Sequence, residues 1–267
     1  GVHRRQRQMC IRDRHYTQLN AEKNGVDVEA VNIDVSDARD VAGNLQATYT
    51  TEAEFNIDTL NPTATYSSSI VMPNLSDGVA SDADSVVAYT VDFSEPVSGI
   101  GGGDINVEGG TVVPGTVSLS GDGLQATFDV RASDNSVADL VVTVMDTVTD
   151  LNGNALVESS SAPVTVDTVN PSTVATPTVS NIVVSDSDNT TTLTVSFTFD
   201  EAMDQGVAPT VTFDPAVAST LTSQTGRWTD SQTYVVDATV ADAGIDADAV
   251  TIDIAGAQDV AGNMQED

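Results

Sequence analysis

The sequence predicts an all-β chain of tandem β-sandwich domains, and three observations predict it. Apolar residues alternate with period two in several short runs, clusters of Gly, Asn, Asp and Ser separate those runs, and the same markers return in the same order along the chain. Val87, Tyr89, Val91 and Phe93, and again Leu193, Val195, Phe197 and Phe199, put every second side chain on one face. That is the pattern of a half-buried strand. Residues 124–130 (LQATFDV), 139–145 (DLVVTVM), 232–240 (QTYVVDATV) and 249–254 (AVTIDI) read as further strands. No stretch holds a 3.6-residue period over the length a helix needs. GIGGGD at 99–104 lacks the Lys and the strand-to-helix setting of a phosphate loop, and reads as a flexible connection between strands.

Three markers set the repeat. DVAGN stands at 40–44 and 259–263 and DLNGN at 150–154, so the turn acid recurs as Asp40, Asp150 and Asp259, at spacings of 110 and 109. DTLNPT at 58–63 returns as DTVNPS at 167–172, 109 residues later. VDFSEPV at 91–97 aligns with FTFDEAM at 197–203, pairing Val91 with Phe197, Phe93 with Phe199 and Glu95 with Glu201. About seven short strands per repeat fit an immunoglobulin-like sandwich that lacks the Cys…Trp…Cys signature. A unit of this size can bury its own core, which makes the repeats beads rather than layers of a solenoid. Breaking the chain after each NP, where Pro fixes φ and removes a donor, gives residues 15–62 as the last strands of one domain, 63–171 as a complete domain, and 172–267 as a third without its final strand.

Composition narrows the functions. QMCIRDR at 8–14 resembles a translated sequencing-library end, and residues 1–14 are set aside as an artefact. The literal alternative is a basic arm for nucleic acid or membrane. Without Arg4, Arg5, Arg7, Arg12, Arg14 and Asp13, 9 − 5 = 4 basic residues (Lys23, Arg39, Arg131, Arg227) face 40 − 1 = 39 acids, a net charge near −35. Such a field repels phosphate backbones and anionic lipid and makes cations the natural partners. Cys10 is the only cysteine and lies in the excluded segment, so no disulfide or thiolate site is expected. No apolar run is long enough to span a bilayer and no signal peptide is present. With a suspect start and an end at NMQED in the middle of the repeated pattern, the chain reads as a fragment whose export signals and anchors lie outside it.

DFSEPV, DLNGNAL and VTVDTVNPS together resemble the bacterial immunoglobulin-like repeats of very large cell-surface adhesins, including biofilm-associated proteins and calcium-stiffened extender regions. The resemblance covers nearly everything after residue 25, and marks architecture more strongly than ligand. NGN replaces AGN at 152–154 and DEAM replaces SEPV at 200–203, which puts the role of the proline in doubt in the third domain. It implies an extracellular spacer that serves adhesion or biofilm formation.

Read alone, each DxxGN is a tight turn in which Gly supplies a positive φ and the Asp and Asn side chains bond local backbone. Topology adds more. In such a sandwich the loops after the second and sixth strands, carrying SEP or DEA and DxxGN, lie at the upstream end. The loop after the first strand, carrying SDAD (81–84) or SDSD (185–188), and the end of the last strand, carrying the Asp of DTxNP, lie at the downstream end. End to end, Asp82, Asp84 and Asp167 would meet Glu201 and Asp259, while Asp58, Glu95 and Asp150 would gather at the preceding joint. Asp40, Asp186 and Asp188 would be half-sites. A hard cation with six to eight oxygen ligands answers such repulsion, and calcium is the expected ion. The alternative for SDAD is a solvated loop in an acidic protein.

Catalysis finds few parts. His3 and His15 are the only histidines, neither lies beside a nucleophile, and no enzymatic activity is expected. A two-carboxylate glycosidase would need a cleft that sandwich exteriors rarely supply. Trp228, the sole tryptophan, is expected to pack in a core rather than to hold sugar. With no lysine in 63–267, a Lys–Asn isopeptide crosslink is excluded there. A carbohydrate- or ligand-binding sandwich of a secreted protein and an acidic surface-layer scaffold are the alternative readings. Neighbouring repeats are the expected partners, with no nucleic acid and no direct membrane contact.

Overall fold

The computed structural model describes residues 27–47, 53–70 and 78–266. The expectations resting on residues 1–14, on Cys10 and on both histidines lie outside them. What is described is nearly all β: antiparallel sheets and two single 3-10 turns, Gly102–Asp104 and Asp186–Asp188. No helix among the described residues is long and apolar enough to cross a membrane.

Upstream, β1 (Asp27–Asn32) and β2 (Ala53–Asp58) pair as a two-stranded antiparallel sheet. Neither announces itself in the sequence, because runs such as AEFNID carry too few apolar residues to set a period.

The middle unit, 63–171, holds β3 (Ala64–Ile70), β4 (Val86–Phe93), β5 (Ile105–Glu108), β6 (Gly110–Val112), β7 (Ser118–Leu119), β8 (Gln125–Ala132), β9 (Val141–Val144) and β10 (Ser159–Ser160). One sheet runs β3-β4-β8-β6, with β7 also on β8, and the other runs β10-β9-β5. The alternation seen in the sequence is the burial pattern: Val87, Tyr89, Val91 and Phe93 of β4 and Ala126, Phe128 and Val130 of β8 turn inward against Val142 and Val144 of β9, with Ile105 and Leu140. Tyr89 stacks on Phe128 at a ring separation of 5.8 Å. A buried side chain of this kind contributes about 1.5–3 kcal/mol. No disulfide is needed. Beyond β3 the chain returns to the second sheet: Ala80 forms a parallel bridge with Val166, its N–H donating to Thr165 O while its own carbonyl accepts from Asp167 N–H, both at 2.9 Å.

The third unit, 172–266, holds β11 (Thr178–Val179), β12 (Thr192–Thr198), β13 (Thr210–Asp214), β14 (Leu221–Trp228), β15 (Thr233–Val240) and β16 (Thr251–Ala255). Its sheets are β11-β12-β15-β14 and β13-β16. Strand for strand this is the middle unit's order, except that among the described residues nothing pairs on the far side of β16 as β10 does on β9. Leu193, Val195 and Phe197, with Phe199 just beyond β12, point inward as their counterparts do. Trp228 lies against Phe199 and Tyr234, at ring separations of 5.7 and 5.0 Å, and its Nε1–H donates to Val207 O at 3.0 Å. The indole is engaged in the core, as the sequence predicts. GIGGGD departs slightly from expectation: it contains the first 3-10 turn, pinned by Gly101 N–H and Thr147 Oγ1–H donating to the Asp104 carboxylate.

Candidate metal centre

Each turn acid is fixed by its own turn. In DxxGN the glycine at the fourth position has φ of +92° (Gly43), +93° (Gly153) and +94° (Gly262), a region side-chain-bearing residues avoid. The backbone thus folds back, and the Asn N–H donates to Oδ1 of the turn Asp at 2.9 Å (Asn44 to Asp40), 2.8 Å (Asn154 to Asp150) and 2.8 Å (Asn263 to Asp259). The Asn Nδ2–H donates to Oδ2 at 2.8, 2.7 and 2.7 Å respectively. The local-turn reading is thus what the chain does in all three copies.

Tertiary structure then brings other acids to two of these turns. Val97, just past β4, bridges Asp150, and Met203, just past β12, bridges Asp259. SEPV and DEAM therefore dock identically, with Met203 filling the place of Val97 and Ala202 that of Pro96. The proline is dispensable to the geometry. The linker is tied to the same loop: Ser94 N–H donates to Thr63 O and Thr63 N–H to Ser94 Oγ, while Asp200 N–H donates to Ser172 O and Ser172 N–H to Asp200 Oδ1. These ties place a linker Asp beside a loop Glu and a turn Asp, twice. In Asp58, Glu95 and Asp150, and again in Asp167, Glu201 and Asp259, each residue offers an oxygen within 4.8 Å of the others. The turn acids are the most covered, Asp150 at 3 % and Asp259 at 1 % exposure.

The remaining sequence-predicted acids do not join these groups. The five carboxylates expected at the downstream joint contract to three. Asp82 comes close: its backbone N–H donates to Asn263 Oδ1 at 2.8 Å. Its exposed carboxyl is raised by desolvation, then by Asp134, Asp259 and Glu266, against a lowering bond with Asn170. Asp84 is buried; its N–H closes the turn on Ser81 O, and one carboxylate oxygen and Ser81 Oγ are buried without a hydrogen bond. Asp188 accepts from Ser185 N–H and Oγ–H within its own 3-10 turn, Asp186 is exposed on that turn, and Asp40 is exposed with only its own turn as partner. Among the described residues, no third group forms around them.

The two trios differ in charge balance. At Asp150 burial pushes the carboxyl up, but hydrogen bonds from Asn154, Asn152 and Gly153 outweigh it and hold it below the ordinary value. Asp259 has the same kind of turn, yet burial, with Asp167 adding to it, wins and raises it. Glu201 is pushed up to about 7 by burial and then by Asp259, Asp167 and Asp200. Three carboxylates in contact with no described cation beside them form a hard, all-oxygen donor set. Calcium takes such ligands from several loops; magnesium demands a tighter octahedron.

Sequence reasoning missed the amides. Asn152 Nδ2–H donates to Asp58 Oδ2, Asn154 Nδ2–H reaches Asp58 O at 3.4 Å, and Asn263 Nδ2–H reaches Asp167 O at 2.9 Å. The signal was available: the turn-final Asn is present in every copy. No protein-family model matches the chain, and no curated protein matches it.

Proposed function

We propose that the chain is a run of tandem immunoglobulin-like spacer domains of a bacterial cell-surface adhesin, divided at 15–62, 63–171 and 172–267, with calcium bridging each joint. Its work is structural rather than catalytic: to project an adhesive or biofilm-forming region away from the cell, with neighbouring repeats as its partners and an extracellular setting. The strand order, a five-stranded sheet and a three-stranded sheet in the middle unit, supports the immunoglobulin-like reading. One observation carries the rest. The same linker Asp, loop Glu and turn Asp meet twice along the chain, at spacings of 109, 106 and 109 residues between equivalent members.

A linker acid belongs to one domain and the other two acids to the next. A cation they share would neutralise the repulsion and fix the angle between the domains, turning beads into a rod. Asp58, Glu95 and Asp150 would hold one ion, and Asp167, Glu201 and Asp259 the other. Calorimetric titration of the whole chain tests this: saturable calcium binding at one ion per trio is expected, with magnesium much weaker. Heat no different from dilution, or equal responses to both ions, overturns it and leaves only charge screening.

A further inference from the structure

We infer that Asn263 is the positioning residue that latches the third unit to the middle one, holding the joint in register whether or not an ion is bound. The calcium reading has no part in the argument. Asn263 is 1 % exposed, and its side-chain amide is used in full. One Nδ2 donor capacity goes to Asp259 Oδ2 at 2.7 Å within the turn, and the other to Asp167 O at 2.9 Å across the joint. Its single acceptor, Oδ1, receives Asp82 N–H at 2.8 Å, also across the joint. A carboxamide has two N–H donors and one oxygen, and all find partners here.

Both cross-joint partners are main-chain groups, drawn from two separate segments of the middle unit: the loop after Ala80 and the stretch just past Val166. Together they define position and rotation in a way one contact would not. No natural side chain of the same length substitutes. Aspartate would lose both donors and add a fourth negative charge beside Asp167, Glu201 and Asp259, and alanine would leave a partly buried N–H and C=O unmatched. The earlier copies separate the two halves of the role. Asn44, exposed in its turn, bonds Asp40 at 2.8 Å; Asn154 bonds Asp150 at 2.7 Å and also reaches the preceding linker carbonyl, Asp58 O, at 3.4 Å. The inner bond belongs to the turn. The outer bonds of Asn154 and Asn263 go to the carbonyl of the preceding linker Asp, and that of Asn263 also to Asp82.

Amide hydrogen exchange by NMR on the whole chain in chelator reads this directly. Asp82 N–H is expected to be protected, and Asn263→Ala to reduce that protection about three- to tenfold. Ala80 N–H, bonded to Thr165 O inside the middle unit, serves as the unchanged reference. Small-angle scattering of the same variant in chelator should give a broader distance distribution, with Trp228 emission showing that the third unit stays folded. Unchanged Asp82 protection in the folded variant overturns the latch. Should the variant unfold the third unit, the unaltered chain decides: slowed exchange of the Asn263 Nδ2 protons with a cross-peak to Asp82 N–H supports the latch, and exchange at a free-amide rate overturns it. Absence of calcium binding would leave each of these outcomes as it is.

Discussion

The two acidic joints share their residues and their turn, and differ in what lies across from them. Upstream, Asp58 at the end of β2 is what lies across from the Asp150 turn among the described residues; hydrogen bonds win there and the carboxyl sits low. Downstream, Asp82 and Asp167 of the middle unit lie across from the Asp259 turn, burial wins, and Glu201 is pushed up to about 7. A turn motif fixes geometry, then, while the docked neighbour fixes charge. The same Asp-x-x-Gly-Asn turn can hold a comfortable anion in one copy and a proton- or cation-seeking one in the next.

The most damaging way to break the comparison is to remove one joint's platform. Phe199, 1 % exposed, lies two residues before Glu201; Phe199→Ala is expected to cost the third unit about 3–5 kcal/mol in chemical denaturation while leaving the middle unit's transition in place. A single merged transition that moves as one would show the units to be a single folding body. Next in size are the turn acids. Asp150→Asn and Asp259→Asn should each remove one calcium site, weakening it at least about tenfold in calorimetry while the other titrates normally. Loss of both sites from either change would contradict two separate joints.

Acid response sharpens the contrast further. In chelator, Glu201 has a folded-state value raised above its ordinary 4.5, so its protonated form stabilises the joint. That contribution is full below about 4.5 and is lost as pH rises through about 7. Asp150 runs the other way: lowered from 3.8, its contribution is present above that value and lost only as pH falls below it. Thermal melts between pH 5 and 8 should therefore show a falling slope that Glu201→Gln removes and Asp150→Asn does not. Smallest of all is Arg227, ion-paired with Asp237 on the outside of β14 and β15. Arg227→Gln should shift the third unit's stability by less than about 1 kcal/mol and leave the calcium titration of the whole chain unchanged.

What the sequence made legible follows from where selection of residue types is sharp. Inward faces demand apolar side chains at every second position, so β4, β8, β12 and β15 could be read from alternation, and turns demand Gly and Asn, so the repeat could be read from DxxGN. β14 escaped because TSQTGR is exposed over most of its length and has no buried face to impose a period. The trios were legible because their members sit in linkers and in the loops that follow strands, and repeat with the same markers in the same order. Asp84 stays outside the trio for a reason the sequence does not carry: its loop turns back on Ser81, and no pattern in SDAD shows which of its acids is buried. Asn263 went unremarked because a turn already explained its presence.

The parallel bridge between Ala80 and Val166 governs how the middle unit would answer a pull. Tension applied at its two ends reaches Ala80 from the side of β3 and Val166 from the side of the linker, and the bonds to Thr165 O and from Asp167 N–H lie across that line of force. Strands paired in this sense slide past one another, so their bonds bear load together instead of parting one after another as in a peeled hairpin. This short pairing in the middle unit is therefore one whose two bonds would be loaded together by such a pull.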